Sequence, residues 1–248
     1  MITRERVFLP PRIVLYGPEG IGKSDFGASS FNPVFIPVEE GTEDLDVDKF
    51  PQPKTYEEFR SYIKYIKNND IENKTLIIDT ADWLEKLIWD EVCEQRNVKS
   101  IEDIGYAKGY TFAQDKWNEL LDHLDCIRKE KEMSIVFLSH AIIKRYDSPD
   151  VDPYDRYQLK LHQKAAARLT EWSDALIFAN YVVSVNETDV GFNKKIRRGT
   201  GGQYRAMYAC ERPAFKAKNR YNLPCEMSFE RGRSWQTLVQ AIKEGRES

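Results

Sequence analysis

The chain has little cysteine and little histidine, 4 and 3 residues in 248. Cys93, Cys126, Cys210 and Cys225 stand far apart and form no CxxC pair, which excludes the ligand spacing of a zinc ribbon and suggests no disulfide framework. Four reduced, mostly buried thiols are expected. No run approaches the ~18 apolar residues of a membrane span. The first ten residues interleave charge with single apolar side chains, where a signal peptide would be continuously apolar. A chain of the cytoplasm with no membrane contact is expected. Charge of one sign is also lacking: 37 Lys and Arg face 40 Asp and Glu, for a net charge of -3. That balance excludes a broad positive field coating nucleic acid, so any such contact must be local. Internal repeats and low-complexity linkers are absent too. With 41% hydrophobic and 31% charged residues, the composition supports one continuous domain over 1–248 with a buried sheet.

What is present is a series of short apolar runs: Arg12 to Tyr16, Val34 to Val38, Leu76 to Ile78, Ser134 to Leu138 and Ala175 to Ala179. Continuous rather than alternating hydrophobicity predicts strands covered on both faces, as in a parallel sheet. Between them lie helical patterns. Phe112, Trp117, Leu120, Leu121, Leu124 and Ile127 share one face within 111–131, and Trp83, Leu84, Leu87, Ile88 and Val92 do so earlier. After Ala179 the runs Tyr181 to Val185, Tyr204 to Ala209 and Glu226 to Phe229 read as antiparallel strands, followed by a short helix from Ser234 to Lys243. The fold class is therefore α/β: a mostly parallel sheet flanked by helices and extended by antiparallel C-terminal strands. Residues 1–10 form an N-terminal extension, and 186–204 a basic hairpin.

The first strand runs straight into Gly17-Pro18-Glu19-Gly20-Ile21-Gly22-Lys23-Ser24, a complete GxxxxGK[ST] phosphate loop. Glycines let successive N–H groups turn onto phosphates, Lys23 reaches the β and γ phosphates, and the Ser24 hydroxyl ligates magnesium. A nucleoside triphosphate and Mg2+ are the expected ligands. A magnesium nucleotide also needs a carboxylate at the end of a nearby strand. Asp79, which closes Thr75-Leu76-Ile77-Ile78-Asp79, fits that place; alternatively it caps the next helix, as Thr80 or Asp82 would equally well.

In this order of strand, phosphate loop, Asp strand and later apolar strand, the chain resembles the RecA-like P-loop ATPases, and the Pro18-Glu19 pair resembles RecA itself. As a whole chain it is most similar to phage-encoded proteins of the RecA-like single-strand annealing (Sak-type) group. The resemblance implies several roles. The carboxylate that polarises the attacking water lies after the second strand, which implies Glu39, with Glu40 as a rival and a pair of solvated loop acids as the alternative. A γ-phosphate sensor after SIVFL implies His140, where RecA has glutamine; the alternative is a satisfied core histidine. The Lys218-Asn219-Arg220 sequence resembles the cationic pair that RecA-like and DnaB-like assemblies present to the neighbouring subunit's nucleotide, with an exposed basic turn as the alternative. A homo-oligomeric ring or filament, with nucleotide at the subunit interface, follows from that likeness. Only about ten residues precede the first strand, fewer than the oligomerisation segment of bacterial RecA.

Three segments are candidates for single-stranded DNA. Tyr106, Lys108 and Tyr110, in a glycine-containing stretch, occupy the position of the first DNA loop of RecA-like recombinases and suit base stacking beside a phosphate contact; equally, the tyrosines cap a hydrophobic cluster. Lys144 and Arg145, with Arg156 beyond a polar loop, occupy the place of the second. Lys194, Lys195, Arg197 and Arg198 lie on the basic hairpin and suit phosphate contact, with a merely solvated hairpin as the equal alternative. The leading expectation is an ATP-binding and ATP-hydrolysing phage recombination protein that binds single-stranded DNA and promotes annealing. The alternatives are a replication motor or helicase-loader ATPase, and a nucleotide-regulated interaction module with little turnover.

Overall fold

The computed structural model describes residues 4, 7–189 and 195–247, with the backbone alone given for 183–189 and 195–203. The apolar runs become strands and the periodic segments helices. In chain order these are β1 (Arg12–Gly17), α1 (Lys23–Ala28), β2 (Pro33–Pro37), β3 (Asp48–Lys49), α2 (Tyr56–Asn68), β4 (Thr75–Asp79), α3 (Ala81–Arg96), α4 (Lys108–Glu130) and β5 (Ser134–Tyr146). Then follow β6 (Tyr154–Leu159), α5 (Gln163–Trp172), β7 (Ala175–Asp189), β8 (Lys195–Tyr208), β9 (Lys218–Asn219), β10 (Glu226–Ser228) and α6 (Ser234–Glu247). The sheet runs β10-β8-β7-β1-β5-β4-β2-β3, with β6 on β5 and β9 on β7. From β7 to β3 every neighbouring pair along this path is parallel, and β8 and β10 add to it antiparallel. This is an α/β core built on a mostly parallel sheet, with an antiparallel C-terminal extension.

Period-two alternation sends neighbouring residues of each strand into different cores. Val14, Tyr16, Ile36, Ile78 and Phe137 pack against α2, α3, α4 and α5 through Phe59, Leu84, Trp117, Leu121 and Leu169. Ile13, Leu15, Phe35, Ile77 and Leu138 face the other way, onto Phe26 of α1 and Trp235, Leu238 and Ile242 of α6. Burial on both faces is why the strands read as unbroken apolar runs.

Several expectations need correction. Cys210 and Cys225 form a disulfide across 15 residues, so only Cys93 and Cys126, both half-buried, are free among the described cysteines. Pairing of Tyr208 with Glu226 and a bond from Ala209 N–H to the Cys225 carbonyl at 3.1 Å bring the two sulfurs together. Sequence separation concealed this, because the antiparallel return of β10 is a tertiary feature.

The segment around Lys144 and Arg145 is not a loop. β5 continues beyond the sheet and pairs with β6 from Ala141↔Leu159 to Tyr146↔Tyr154, so only the tip between the strands lacks ladder pairing. The stretch from Gly105 is likewise less free than expected, because α4 already begins at Lys108. A Cβ on Gly109 would lie 2.4 Å from the Ile101 carbonyl oxygen, so this glycine serves close packing.

Candidate nucleotide site

β1 delivers the phosphate loop to the C-terminal edge of the parallel sheet. At Gly17 any Cβ would lie 2.3 Å from the Ala179 carbonyl oxygen, so the neighbouring strand demands glycine there. Gly20 and Gly22 have φ of +72° and +107°, left-handed conformations that favour glycine and turn the loop back on itself. Lys23 is buried, and its ammonium donates to the carbonyls of Pro18 at 3.0 Å and Gly17 at 3.4 Å. Burial pushes its pKa down, against the opposing charges of Asp79 and Glu39.

The next residue, Ser24, donates its hydroxyl to Asp79 Oδ2 at 2.7 Å. Asp79 is 2% exposed, yet its Oδ1 has no hydrogen-bond partner. Burial raises its pKa, although the Ser24 hydroxyl and the Lys23 charge pull the other way. A buried carboxylate oxygen without a donor is costly, and a cation removes that cost. Among the described residues no group of three or more His, Cys, Asp or Glu could hold a metal. An ion at Ser24 and Asp79 would therefore complete its coordination with phosphate oxygens and water, as magnesium commonly does. The donor set fits a magnesium nucleotide.

The parallel register brings two further groups to this edge. Pro37 aligns with Asp79 and Gly17 with His140, so Glu39, just past β2, meets His140 on β5. Glu39 Oε1 stands 3.9 Å from His140 Nε2. Burial raises the Glu39 pKa, and the His140 charge acts to lower it. Its rival Glu40 is exposed.

The family model for the AAA domain matches residues 9–221. The chain belongs to the AAA domain family. This AAA-domain chain is a nucleotide-binding P-loop NTPase. It is 24% identical over 135 residues to the SPbeta prophage-derived uncharacterized protein YorG of Bacillus subtilis (strain 168), a match covering 52% of this chain. The match spans 40% of the length of that relative. Among solved structures it is similar to the crystal structure of the RadB recombinase, with a TM-score of 0.44, 13% identity and 81% of each chain covered.

Two residues of the AAA-domain site escaped the sequence reading in these roles. Asp82, in the first turn of α3, binds both the ring and the backbone of His140. Its spacing from Asp79 suggested only a helix cap. Arg205, on β8, donates to the Ile21 carbonyl inside the phosphate loop at 2.8 Å and lies with its guanidinium carbon 5.6 Å from the Phe229 ring centre. No local signal marks it, because the contact joins residues 184 apart.

The remaining candidates lie apart from the phosphate loop. Lys218 and Arg220 belong to the opposite end of the sheet, since β9 pairs with Ala175 and Leu176, and Ala175 aligns with Ile13 at the start of β1. The Lys218 ammonium donates to the carbonyls of Thr170, Glu171 and Ser173 at 2.7, 2.8 and 2.7 Å, closing the C-terminus of α5. Burial, followed by the Arg220 charge, lowers its pKa to about 8. Arg220 is more open and stands 3.6 Å from Asp174.

Tyr106 is 97% exposed, and Lys108 is exposed nearby. Tyr110 instead stacks on His162 with ring centres 4.0 Å apart and meets Trp89 edge-on at 5.6 Å, so it takes the cluster-capping role. Lys144 and Arg145 are exposed on the β5–β6 hairpin. Arg156 does not join them: it is buried, paired with Glu211 at 2.8 Å and set 4.7 Å from the Tyr146 ring centre. Lys195, Arg197 and Arg198 lie on the β8 backbone opposite Asp189, Glu187 and Asn186, and Lys194 lies outside the described residues. No described helix is long and apolar enough to cross a membrane.

Proposed function

We propose that the chain is a magnesium-dependent ATPase of phage recombination that binds single-stranded DNA, promotes annealing, and works as a homo-oligomer with nucleotide at the subunit interface. The observation that carries the ATPase reading is the unpaired, buried Oδ1 of Asp79 beside the Ser24 hydroxyl and the Lys23 ammonium. Ser24 and Asp79 would hold the ion, which when bound neutralises charge on the β and γ phosphates. The loop from Gly17 to Ser24 holds the phosphates, and Lys23 exchanges its carbonyl partners for phosphate oxygens.

Glu39 is the catalytic base and His140 the neighbouring polar group. A water oxygen bonds to the γ phosphorus, the bond from that phosphorus to the β–γ bridging oxygen breaks, and the diphosphate leaves with the electron pair. The proton lost by the water passes to the Glu39 carboxylate. Catalysis of this kind rests on positioning and charge.

Support for the nucleic-acid half comes from exposed Tyr106 and Lys108 at the start of α4 and from Lys144 and Arg145 on the β5–β6 hairpin. The name of the prophage-derived relative supports a phage setting. A second reading, a nucleotide-regulated interaction module with little turnover, is favoured by the engagement of Lys218 within its own subunit, which leaves Arg220 as the more accessible cation for a neighbouring nucleotide.

The test is ATP turnover by the purified full chain with and without a single-stranded oligonucleotide, together with fluorescence anisotropy of the labelled oligonucleotide. Turnover that rises with the oligonucleotide supports the recombination reading. Nucleotide binding without turnover selects the interaction module, and the absence of oligonucleotide binding removes the DNA half.

A further inference from the structure

The first turn of α3 carries a carboxylate that the hydrolysis described above does not use. Asp82 Oδ1 accepts the backbone N–H of His140 at 3.0 Å, and its Oδ2 lies 2.9 Å from His140 Nδ1. The Ser139 hydroxyl also donates to Oδ1, at 3.4 Å. One carboxylate thereby holds the main chain and the ring of the same residue. The side chains of Asp82 and His140 are 7% and 12% exposed, so little water competes for these bonds.

An ionised carboxylate only accepts hydrogen bonds, which makes Nδ1 the proton-bearing nitrogen of the ring. Although burial alone would raise Asp82, hydrogen bonds from the His140 ring and backbone hold it below the usual carboxylate range. In the neutral ring Nε2 is then the lone-pair nitrogen, facing Glu39 Oε1 at 3.9 Å. That separation is too long for a direct bond, but one water hydrogen-bonded to both atoms spans it. His140 aligns with Gly17 at the start of the phosphate loop, so the gap lies at the phosphate-loop edge of the sheet.

We propose that Asp82 is a positioning residue for nucleotide hydrolysis: it fixes the orientation and tautomer of His140 so that Nε2 and the Glu39 carboxylate together hold the attacking water. This role rests on the hydrolytic reading of the site. The water donates one proton toward Glu39 and the other toward Nε2, leaving a lone pair for phosphorus. As the new phosphorus–oxygen bond forms and the bridging bond breaks, the first proton transfers to Glu39. The second stays on the product oxygen, hydrogen-bonded to Nε2. The imidazole gains and loses nothing in the step. Its task is geometric, and Asp82 supplies the geometry.

The test combines kinetics with 15N NMR of the histidine-labelled full chain. Wild-type His140 is expected as the Nδ1–H tautomer. Asp82→Asn frees the tautomer, because an amide both donates and accepts, and lowers kcat by about ten- to hundredfold. The Kd for a fluorescent ATP analogue should stay within about twofold, since an orienting contact acts on the reacting geometry more than on ground-state binding. In a His140→Gln background the same substitution should add no further loss, because both changes remove one unit.

A wild-type His140 in the Nε2–H tautomer overturns the proposal without any variant, which keeps it testable should Asp82→Asn fold poorly. Wild-type kcat in a folded Asp82→Asn protein overturns it as well. A wild-type chain that binds nucleotide but never turns it over removes the hydrolytic reading and this role together. Turnover undiminished by Asp82→Asn removes this role alone.

Discussion

At the scale of single residues, the site is a set of carboxylates whose surroundings set them apart. Asp79 and Glu39 are raised by burial, whereas Asp82 is held low by His140. Lys23→Ala removes the one buried ammonium described in the loop and should weaken nucleotide binding at least tenfold, as read by titration with a fluorescent analogue. Glu85, one turn beyond Asp82, gives a cleaner test of burial. Its Oε2 accepts the His162 backbone N–H at 2.9 Å, but its Oε1 is buried without a partner. Burial raises its pKa to about 7 despite that bond. A carboxyl raised in the folded state binds more protons there than in the unfolded chain, so stability falls as pH rises from the unfolded value near 4.5 to about 7. Glu85→Gln should remove this loss. Its melting temperature should match wild type at the acid end and exceed it above neutrality, by an amount worth at most about 3 kcal/mol and less where the amide protons stay unpaired. A variant no more stable than wild type at alkaline pH contradicts the account.

At the scale of elements, what was legible followed from periodicity. α3 and α4 carry apolar residues at helical spacing over several turns, and β1, β2, β4 and the first half of β5 are buried on both faces, so their sequences announce them. The segments that escaped depend on partners elsewhere in the chain. The sequence of β6, Tyr-Asp-Arg-Tyr-Gln-Leu, is a strand because β5 overshoots the sheet and offers a ladder. Although α2 went unread, Thr55 did carry a signal, since its side chain accepts the Glu58 N–H at 3.1 Å as an N-cap. The end of α5 is fixed by a residue 45 or more positions away, which no local pattern shows: the Lys218 ammonium satisfies three terminal carbonyls. Lys218→Met should therefore cost about 1–2 kcal/mol in chemical denaturation, from lost charge-assisted bonds and the favourable charge at a helix C-terminus. If Lys218 acts only on α5, ATP turnover of the folded variant stays near wild type. A loss of turnover with stability unchanged would return the residue to the neighbouring nucleotide.

Asp174 joins elements in the same way. Its carboxylate accepts from Arg12, Arg128 and Tyr221, linking the start of β1, the end of α4 and the segment between β9 and β10. Burial would raise Asp174, but the bond and charge of Arg12 hold it below the usual carboxylate range. A depressed carboxylate stabilises the fold above its unfolded pKa, and that contribution disappears as pH falls through its folded value. Asp174→Asn leaves two largely buried guanidinium groups short of a counter-charge and should cost about 3–5 kcal/mol at neutral pH. Urea denaturation at neutral pH and again below the unfolded pKa checks the sign, because the difference from wild type must shrink in acid.

At the scale of the whole molecule, the near-balance of 37 basic and 40 acidic residues means that the proposed DNA affinity must come from particular side chains. The phosphate loop and Asp79 were legible because local sequence carries them, whereas the exposure of the residues proposed to meet DNA was not. Tyr106 proved open, but Tyr110 and Arg156 turned inward to partners that sequence spacing does not reveal. The exposed cations in the described candidate segments with described side chains are Lys108, Lys144 and Arg145. If each neutralises one phosphate of a single strand, the logarithm of the binding constant should fall with the logarithm of salt with a slope of about -2, or roughly twentyfold between about 50 and about 200 mM. Replacing Lys144 and Arg145 together with alanine should reduce that slope by about 1.4. Tyr106→Ala should instead weaken binding by about 1–3 kcal/mol with the slope unchanged, because stacking releases no counterions. Anisotropy across a salt series separates these outcomes. A wild-type slope near zero would mean that none of the three cations meets phosphate, and a slope much steeper than -2 would bring in the basic strand that carries Lys195, Arg197 and Arg198.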